Sequence, residues 1–247
     1  MDVVALGELL IDFATQSTDE SGYPTMAAHP GGAPANFLAA LTKFGAKTAL
    51  LGKVGADTFG NLLIGTLKEA GIETRGMIQT ADTFTTLAFV TFDAHGDRAF
   101  AFSRKPGADT CISYEELDLS LIDEAKVFHF GTLSLTDEPA RSATQKAVAY
   151  AKSKGKLITY DPNLRKPLWK DMDTCKQQLL WGLSQADVVK ISDEEVEFLF
   201  GLGVAEGARH ILSNFGVKLV FVTCGAEGCY FQNAKASGHV PGLKGIK

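Results

Sequence analysis

Short apolar runs alternate along this chain with amphipathic stretches of helical period, a rhythm that predicts an α/β fold with a doubly wound, mostly parallel sheet and helices on both faces. Two stretches, residues 13–30 and 83–104, break the rhythm and predict a small accessory β-sheet that projects as a lid. Length is the third constraint. At 247 residues the chain suffices for one large α/β domain with a buried core, so residues 1–247 are read as a single domain.

Main-sheet strands are expected at 3–6, 48–52, 126–130, 157–161, 188–191 and 219–223, each ending where a loop can carry function. A helix follows Asn36, runs to about Phe44 and stops at Gly45; the next takes Asp57 as N-cap and stops at Gly71. In the second irregular stretch, two strand-like runs around Thr85 to Phe92 and Arg98 to Phe102 flank a turn at Asp93-Ala94-His95-Gly96-Asp97. No repeat, low-complexity tract or long linker interrupts the order.

Composition narrows the function classes. With 45% hydrophobic and 21% charged residues and a net charge of -5, the surface carries no bias toward nucleic acid or an anionic membrane. The four cysteines, Cys111, Cys175, Cys224 and Cys229, form no Cys-x-x-Cys pair and have no His cluster beside them, which speaks for a reducing cytosol and against a zinc site or disulfide scaffold. The start, Met1-Asp2-Val3-Val4-Ala5-Leu6-Gly7-Glu8, lacks a basic n-region, and no apolar run approaches the roughly 20 residues that span a bilayer. A cytoplasmic location is expected.

Asp12, at the end of an apolar strand, and the run Gly31-Gly32-Ala33-Pro34-Ala35-Asn36 carry the most chemistry. Adjacent glycines let backbone approach a ligand where a Cβ would collide, and a carboxylate with a carboxamide fixes hydroxyl orientation, so the pattern points to a polyol. Gly52-Lys53-Val54-Gly55-Ala56-Asp57-Thr58-Phe59-Gly60 lacks P-loop spacing and reads as a packing turn. Asp161-Pro162-Asn163-Leu164-Arg165 follows a strand, and Asn163 and Arg165 there suit phosphoryl oxygens; a plain surface turn is the alternative. In Lys190-Ile191-Ser192-Asp193-Glu194-Glu195 the carboxylates suit hydrated Mg²⁺ near phosphates, or Ser192 simply caps an acidic first helical turn. Val222-Thr223-Cys224-Gly225-Ala226-Glu227-Gly228 gives a strand and a glycine turn apt for nucleotide phosphates. Gly201-Leu202-Gly203 follows a helix-like segment, fits no dinucleotide fingerprint and is assigned to a loop.

Taken in order, these motifs make the chain resemble the ribokinase-like (PfkB) sugar kinase family, and within it the fructokinases. The resemblance covers Val3 to about Val240, through Gly-Glu-x-x-x-Asp ending at Asp12, Gly31 to Asn36, Gly52 to Gly60, Ser103-Arg104-Lys105-Pro106-Gly107-Ala108-Asp109, Asp161 to Arg165, and Thr223 to Gly228. The runs His129-Phe130-Gly131-Thr132-Leu133-Ser134-Leu135 and Asp161 through Trp169 look most like fructokinases.

The resemblance implies ATP-dependent phosphorylation of a furanose sugar at its primary hydroxyl, with Mg²⁺ bridging phosphate oxygens. By family analogy Asp12, Gly31, Gly32 and Asn36 form the sugar floor, and Arg104, just after the lid strands, lies by the sugar. Lys190, Thr223, Gly225 and Gly228 line the nucleotide side, Arg165 faces the transferred phosphoryl group, and Glu195 takes the acidic place of the Mg²⁺ and phosphate motif, although Ser192 stands where the family usually has Asn. The family's base is the Asp of a Gly-Ala-Gly-Asp motif, which these 247 residues do not contain; the tail from Val240 to Lys247 resembles the strand that leads into it. The resemblance therefore implies a C-terminally incomplete kinase, with Asp12 and Asp161 as the nearest substitutes for the base. Other acceptors of the family, namely ribose, 2-keto-3-deoxygluconate or a riboside, are the alternatives, as is a non-catalytic module that binds sugar or nucleotide. The lid's unpaired edge makes a homodimer through the lid sheet the expected assembly.

Overall fold

The structure, a computed structural model, describes residues 1–92 and 98–243; the turn read at 93–97 lies outside the described residues. From the start of the chain, β1 (Val3–Leu6) is followed by β2 (Leu10–Thr18), β3 (Pro24–Gly31), α1 (Ala33–Lys43), β4 (Thr48–Gly55), α2 (Thr58–Glu69) and β5 (Met77–Thr80). Next come β6 (Leu87–Phe92), β7 (Arg98–Ser103), α3 (Leu119–Glu124), β8 (Val127–Gly131), α4 (Ala140–Ser153), β9 (Leu157–Asp161) and α5 (Met172–Gln185). The last stretch holds β10 (Val188–Ser192), α6 (Asp193–Phe200), α7 (Val204–Phe215), β11 (Leu219–Thr223), β12 (Cys229–Asn233) and β13 (Ser237–Val240).

Nine strands pair in the order β13-β12-β11-β10-β9-β8-β1-β4-β5, and β2, β3, β6 and β7 form a separate sheet in the order β3-β2-β6-β7. The main sheet is parallel from β5 to β11 and antiparallel at β12 and β13. Alternation along the strands divides the core. Val4, Leu6, Phe128, Phe130, Ile158, Tyr160, Val189 and Ile191 face α4, α5 and α7, whereas Val3, Ala5 and Leu50 face Leu38 of α1 and Leu63 of α2. On the α1 side, cover thins toward β9 and β11, where Leu157 and Phe221 are exposed.

Three boundaries differ from the sequence reading, each for a local reason. Asp12 does not close the first main-sheet strand: β1 ends at Leu6, and Asp12 lies in β2 of the second sheet, opposite His29 and Ala88. The apolar run is broken at Gly7, where a Cβ would sit 2.6 Å from Pro34 Cγ, so the chain turns under the first turn of α1. β4 runs on through Gly55, because Gly52 to Gly55 pair with Met77 to Thr80 of β5, an edge strand with only weak alternation. Helix α1 starts at Ala33 rather than after Asn36; Pro34 occupies its first turn, where a missing N–H costs nothing. The antiparallel β12 and β13 were also not foreseen.

The lid is fastened at its base by aromatic packing. Phe13 of β2 stacks on Phe89 of β6 with ring centroids 5.4 Å apart and meets Phe59 of α2 edge-on at 5.6 Å. Asp57, the N-cap of α2, accepts Gly60 N–H at 2.8 Å and also accepts Thr85 N–H and Oγ1–H at 2.8 and 2.9 Å, tying the helix to the chain that enters the lid. Asp57→Ala removes a cap and orphans the Thr85 donors together, so the urea midpoint should fall by the equivalent of about 2 kcal/mol. Asp57→Asn, which keeps an acceptor, should lose less.

Candidate active site

The parallel strands carry their carboxyl ends to one edge, beneath the lid. There a cleft of about 540 Å³ is lined from the lid by Asp12, Val90 and Phe102, and from the body by Gly32, Asn36, Leu133, Asp161, Asn163 and Arg165. A second cleft of about 890 Å³ is lined by Asn163, Arg165, Lys166, Lys190, Ser192 and Glu195. The two adjoin at the turn after β9, since Asn163 and Arg165 line both.

The floor of the first cleft is built by close backbone approach. Gly32 has φ 115°, and a Cβ there would lie 2.4 Å from the Glu8 carbonyl oxygen, so this position takes no side chain. A Cβ on Gly31 would fall 2.2 Å from Asp12 Oδ2; Gly31 leaves room for that carboxylate rather than lining the cleft itself. Asn36 points from the first turn of α1. Burial raises the Asp12 carboxyl above its ordinary range, and the positive charge of Arg165 and then His29 opposes that rise.

Glu8, absent from the sequence-derived site, is 3% exposed, lines the same cleft and accepts the Ala33 N–H at 2.8 Å. Burial pushes its carboxyl up to about 7. Its signal in the sequence was a lone acid inside the apolar stretch from Leu6 to Ile11.

On the other side, Asp161 is raised in pKa chiefly by burial, with Lys190 opposing, and its carboxylate pairs with Lys190 Nζ at 3.3 Å. Asn163 holds φ 43°, a left-handed conformation that Asn tolerates better than most side chains. Ser192 and Glu195 form a capping box at α6, as the second of the two sequence readings had it. The Glu195 carboxylate accepts Ser192 N–H at 2.8 Å and Leu164 N–H at 2.6 Å, so it also fastens the 161–165 turn to α6. Among the described residues no group of three or more His, Cys, Asp or Glu side chains could hold a metal ion.

Besides Gly31, four expected site residues sit outside both linings. Thr223 ends β11, with Oγ1 3.5 Å from the Ile191 carbonyl oxygen. Gly225 has φ 53° and open space around it, while a Cβ on Gly228 would lie 2.1 Å from the Val240 carbonyl oxygen. Arg104 is buried behind the first cleft, donating to Asp109, Thr136 and the Leu133 carbonyl. Nearby, His129 is fully enclosed, with Nδ1 2.9 Å from Thr159 Oγ1 and its ring 4.1 Å from that of Phe37. Burial, and then Lys190, push its pKa down to about 3, so the imidazole is neutral.

A sheet edge with two adjoining clefts, the first of them covered by a lid, is the layout of an enzyme that brings two small molecules together. The profile of the pfkB family carbohydrate kinases matches residues 1–247. Fructokinase-2 of Solanum lycopersicum is 43% identical over 244 residues, spanning 98% of this chain and 74% of that protein. The crystal structure of the Xylella fastidiosa fructokinase with bound ATP superposes with a TM-score of 0.91 at 32% identity, covering 99% of this chain and 75% of that one. A putative ribokinase II from E. coli, in complex with ATP and Mg²⁺, superposes at 0.88 with 29% identity over 99% of this chain and 79% of its own. The chain belongs to the pfkB family of carbohydrate kinases, and its fold is ribokinase-like. No helix among the described residues is long and apolar enough to cross a membrane.

Because the folded state holds the Glu8 proton to about 7 and the unfolded chain releases it near 4.5, the stability that neutral Glu8 contributes is complete below 4.5 and is lost as pH rises through 7. Relative to Glu8→Gln, the wild type should lose on the order of 3 kcal/mol across that window in parallel urea titrations. Parallel curves would mean that Glu8 is ionised in the fold.

Proposed function

We propose that this carbohydrate kinase works in the cytoplasm and transfers the terminal phosphoryl group of ATP to the primary hydroxyl of D-fructose in its furanose form. The observation that carries the reading is the 161–165 turn, whose Asn163 and Arg165 line both clefts and so stand where an acceptor in one and a donor in the other would meet. The similarity to fructokinases supports fructose over ribose, 2-keto-3-deoxygluconate or a riboside.

In this reading Asp12 and Asn36 hold sugar hydroxyls over the Gly32 backbone, and Val90 and Phe102 from the lid cover the sugar and exclude water. Arg165 offers a planar, fixed positive charge to the phosphoryl oxygens, which suits a reaction governed by positioning and charge neutralisation. Lys190 serves the nucleotide side, with Thr223, Gly225 and Gly228 one strand further out, and Arg104 acts from behind the sugar cleft. Among the described residues no carboxylate cluster would hold Mg²⁺ by itself, so Glu195 or Asp161 would hold it together with phosphates and water, and it would supply neutralisation of phosphate charge there. Two copies are proposed to pair through the lid edges β3 and β7, each of which has a single strand neighbour. A dimer mass in light scattering supports that assembly and a monomer mass rejects it.

ATP-dependent phosphorylation of D-fructose, with calorimetric binding of each ligand alongside, tests the assignment. Turnover by these 247 residues would put the proton acceptor on Asp12 or Asp161. Binding of both ligands without turnover would leave a non-catalytic module, and preference for another sugar would overturn fructose. Asp12→Asn should weaken fructose binding about tenfold with ATP binding unchanged, whereas Arg165→Ala should lower kcat about 100-fold.

A further inference from the structure

Asp109 stands outside the clefts, in the turn that follows the lid, and the family reading gives it no role. It is 5% exposed, and its carboxylate joins Thr86 to Arg104. Oδ1 accepts the Thr86 hydroxyl at 2.5 Å, and Oδ2 accepts Arg104 Nε at 2.9 Å and lies 2.7 Å from Arg104 Nη2. Thr86 directly precedes β6 and Arg104 directly follows β7. Since Leu87 pairs with Ser103, Thr86 and Arg104 flank the foot of the lid pair, where the chain leaves the body and returns to it.

The same point reaches a third lid strand and the cleft wall. The Thr86 carbonyl accepts Ile11 N–H of β2 at 3.1 Å. Arg104 also donates from Nη1 to Thr136 Oγ1 at 2.8 Å and from Nη2 to the carbonyl of Leu133, a cleft-lining residue, at 2.7 Å. Gly107 is packed onto this cluster so closely that a Cβ would lie 1.9 Å from Thr86 Oγ1 and 3.0 Å from Asp109 Oδ1.

We propose that Asp109 is a positioning residue for the sugar: by bracing Thr86 against Arg104 at the foot of the lid, it sets where Asp12, Val90 and Phe102 stand over the acceptor cleft. The ion pair need not stabilise the fold, because burying two charges costs about what their attraction returns. Its effect is geometric. The second cleft receives no lid residue, so the clamp governs the sugar and leaves the nucleotide alone. The proposal rests on the carbohydrate kinase reading given above for which ligand occupies which cleft.

Removing Asp109 outright strands a buried guanidinium, so the informative variant is Thr86→Val, which deletes one hydroxyl at constant shape and keeps the Arg104–Asp109 pair neutral. Its Kd for D-fructose should rise about fivefold, the effect of one lost buried hydrogen bond, while the Kd for ATP stays within about twofold of wild type. Amide exchange should quicken in β2, β6 and β7 and stay unchanged in β8 to β10; Thr86→Ser, which restores the hydroxyl, should return both measurements to wild type. Equal loss for both ligands, unchanged fructose binding with unchanged exchange, or a Thr86→Ser variant that behaves like the valine would each overturn the clamp. If the wild type binds no sugar the kinase reading fails by itself. The exchange comparison then decides the clamp: quickening confined to the lid upholds it, and its absence overturns it.

Discussion

The parallel register of the central sheet is the constraint on which the rest of the molecule depends. Pairing of β1 with β8, β8 with β9 and β9 with β10 puts Val3, Val127, Leu157 and their alternate neighbours on one face and Val4, Phe128 and Ile158 on the other. The first face carries His129, Asp161, Lys190 and Thr223 toward the edge, while the second is filled by apolar residues against α4, α5 and α7. A slip of one residue in any strand would exchange polar site groups for core residues, so the register that packs the core also delivers the site.

Upon that edge the chain places charges where water is scarce. Glu8, Arg104, Asp109 and His129 are all buried in or behind the wall of the first cleft, and each is held by specific partners: the Ala33 amide, the Leu133 carbonyl and Thr136, the Thr86 hydroxyl, and Thr159. Desolvation disfavours the charged forms of Glu8 and His129 and leaves the Arg104–Asp109 pair balanced. The cleft itself keeps the half-buried Asp12 and Arg165. Buried, hydrogen-bonded groups thus back the half-buried side chains that line the cleft.

The junction of the two clefts follows from a turn rather than a strand. Pro162 restricts the backbone after β9, Asn163 takes a left-handed conformation, and Glu195 of α6 binds the Leu164 amide from the far side. Arg165 therefore emerges at the boundary between the clefts. A side chain at that boundary faces both clefts at once, as no residue of the strands themselves does.

Most of the main sheet was legible in the sequence, since runs such as Val188 to Ile191 and Leu219 to Thr223 are short, apolar and bounded by helix signals. Gly31-Gly32 before a Pro-containing first turn was legible for the same local reason, as a strand-to-helix turn with close backbone approach. The exchange of Asp12 into the second sheet was not, because Leu9, Leu10 and Ile11 continue the apolar run and only the packing of Pro34 on Gly7 shows where it breaks. The apolar neighbours of Glu8 hinted at its burial but not at its bond to the Ala33 amide, and the place of Arg104 could not be read from neighbours in the chain. Arg104 follows a lid strand, and a local reading sends it toward the ligand; Asp109, Thr136 and Leu133 instead draw it inward. Local sequence determined which residues can turn, cap, pair and carry charge. Only tertiary structure decided which of those charges meet ligand and which meet one another, because that depends on contacts between segments as far apart as Glu8 and Ala33 or Arg104 and Thr136, and no periodicity encodes such distances.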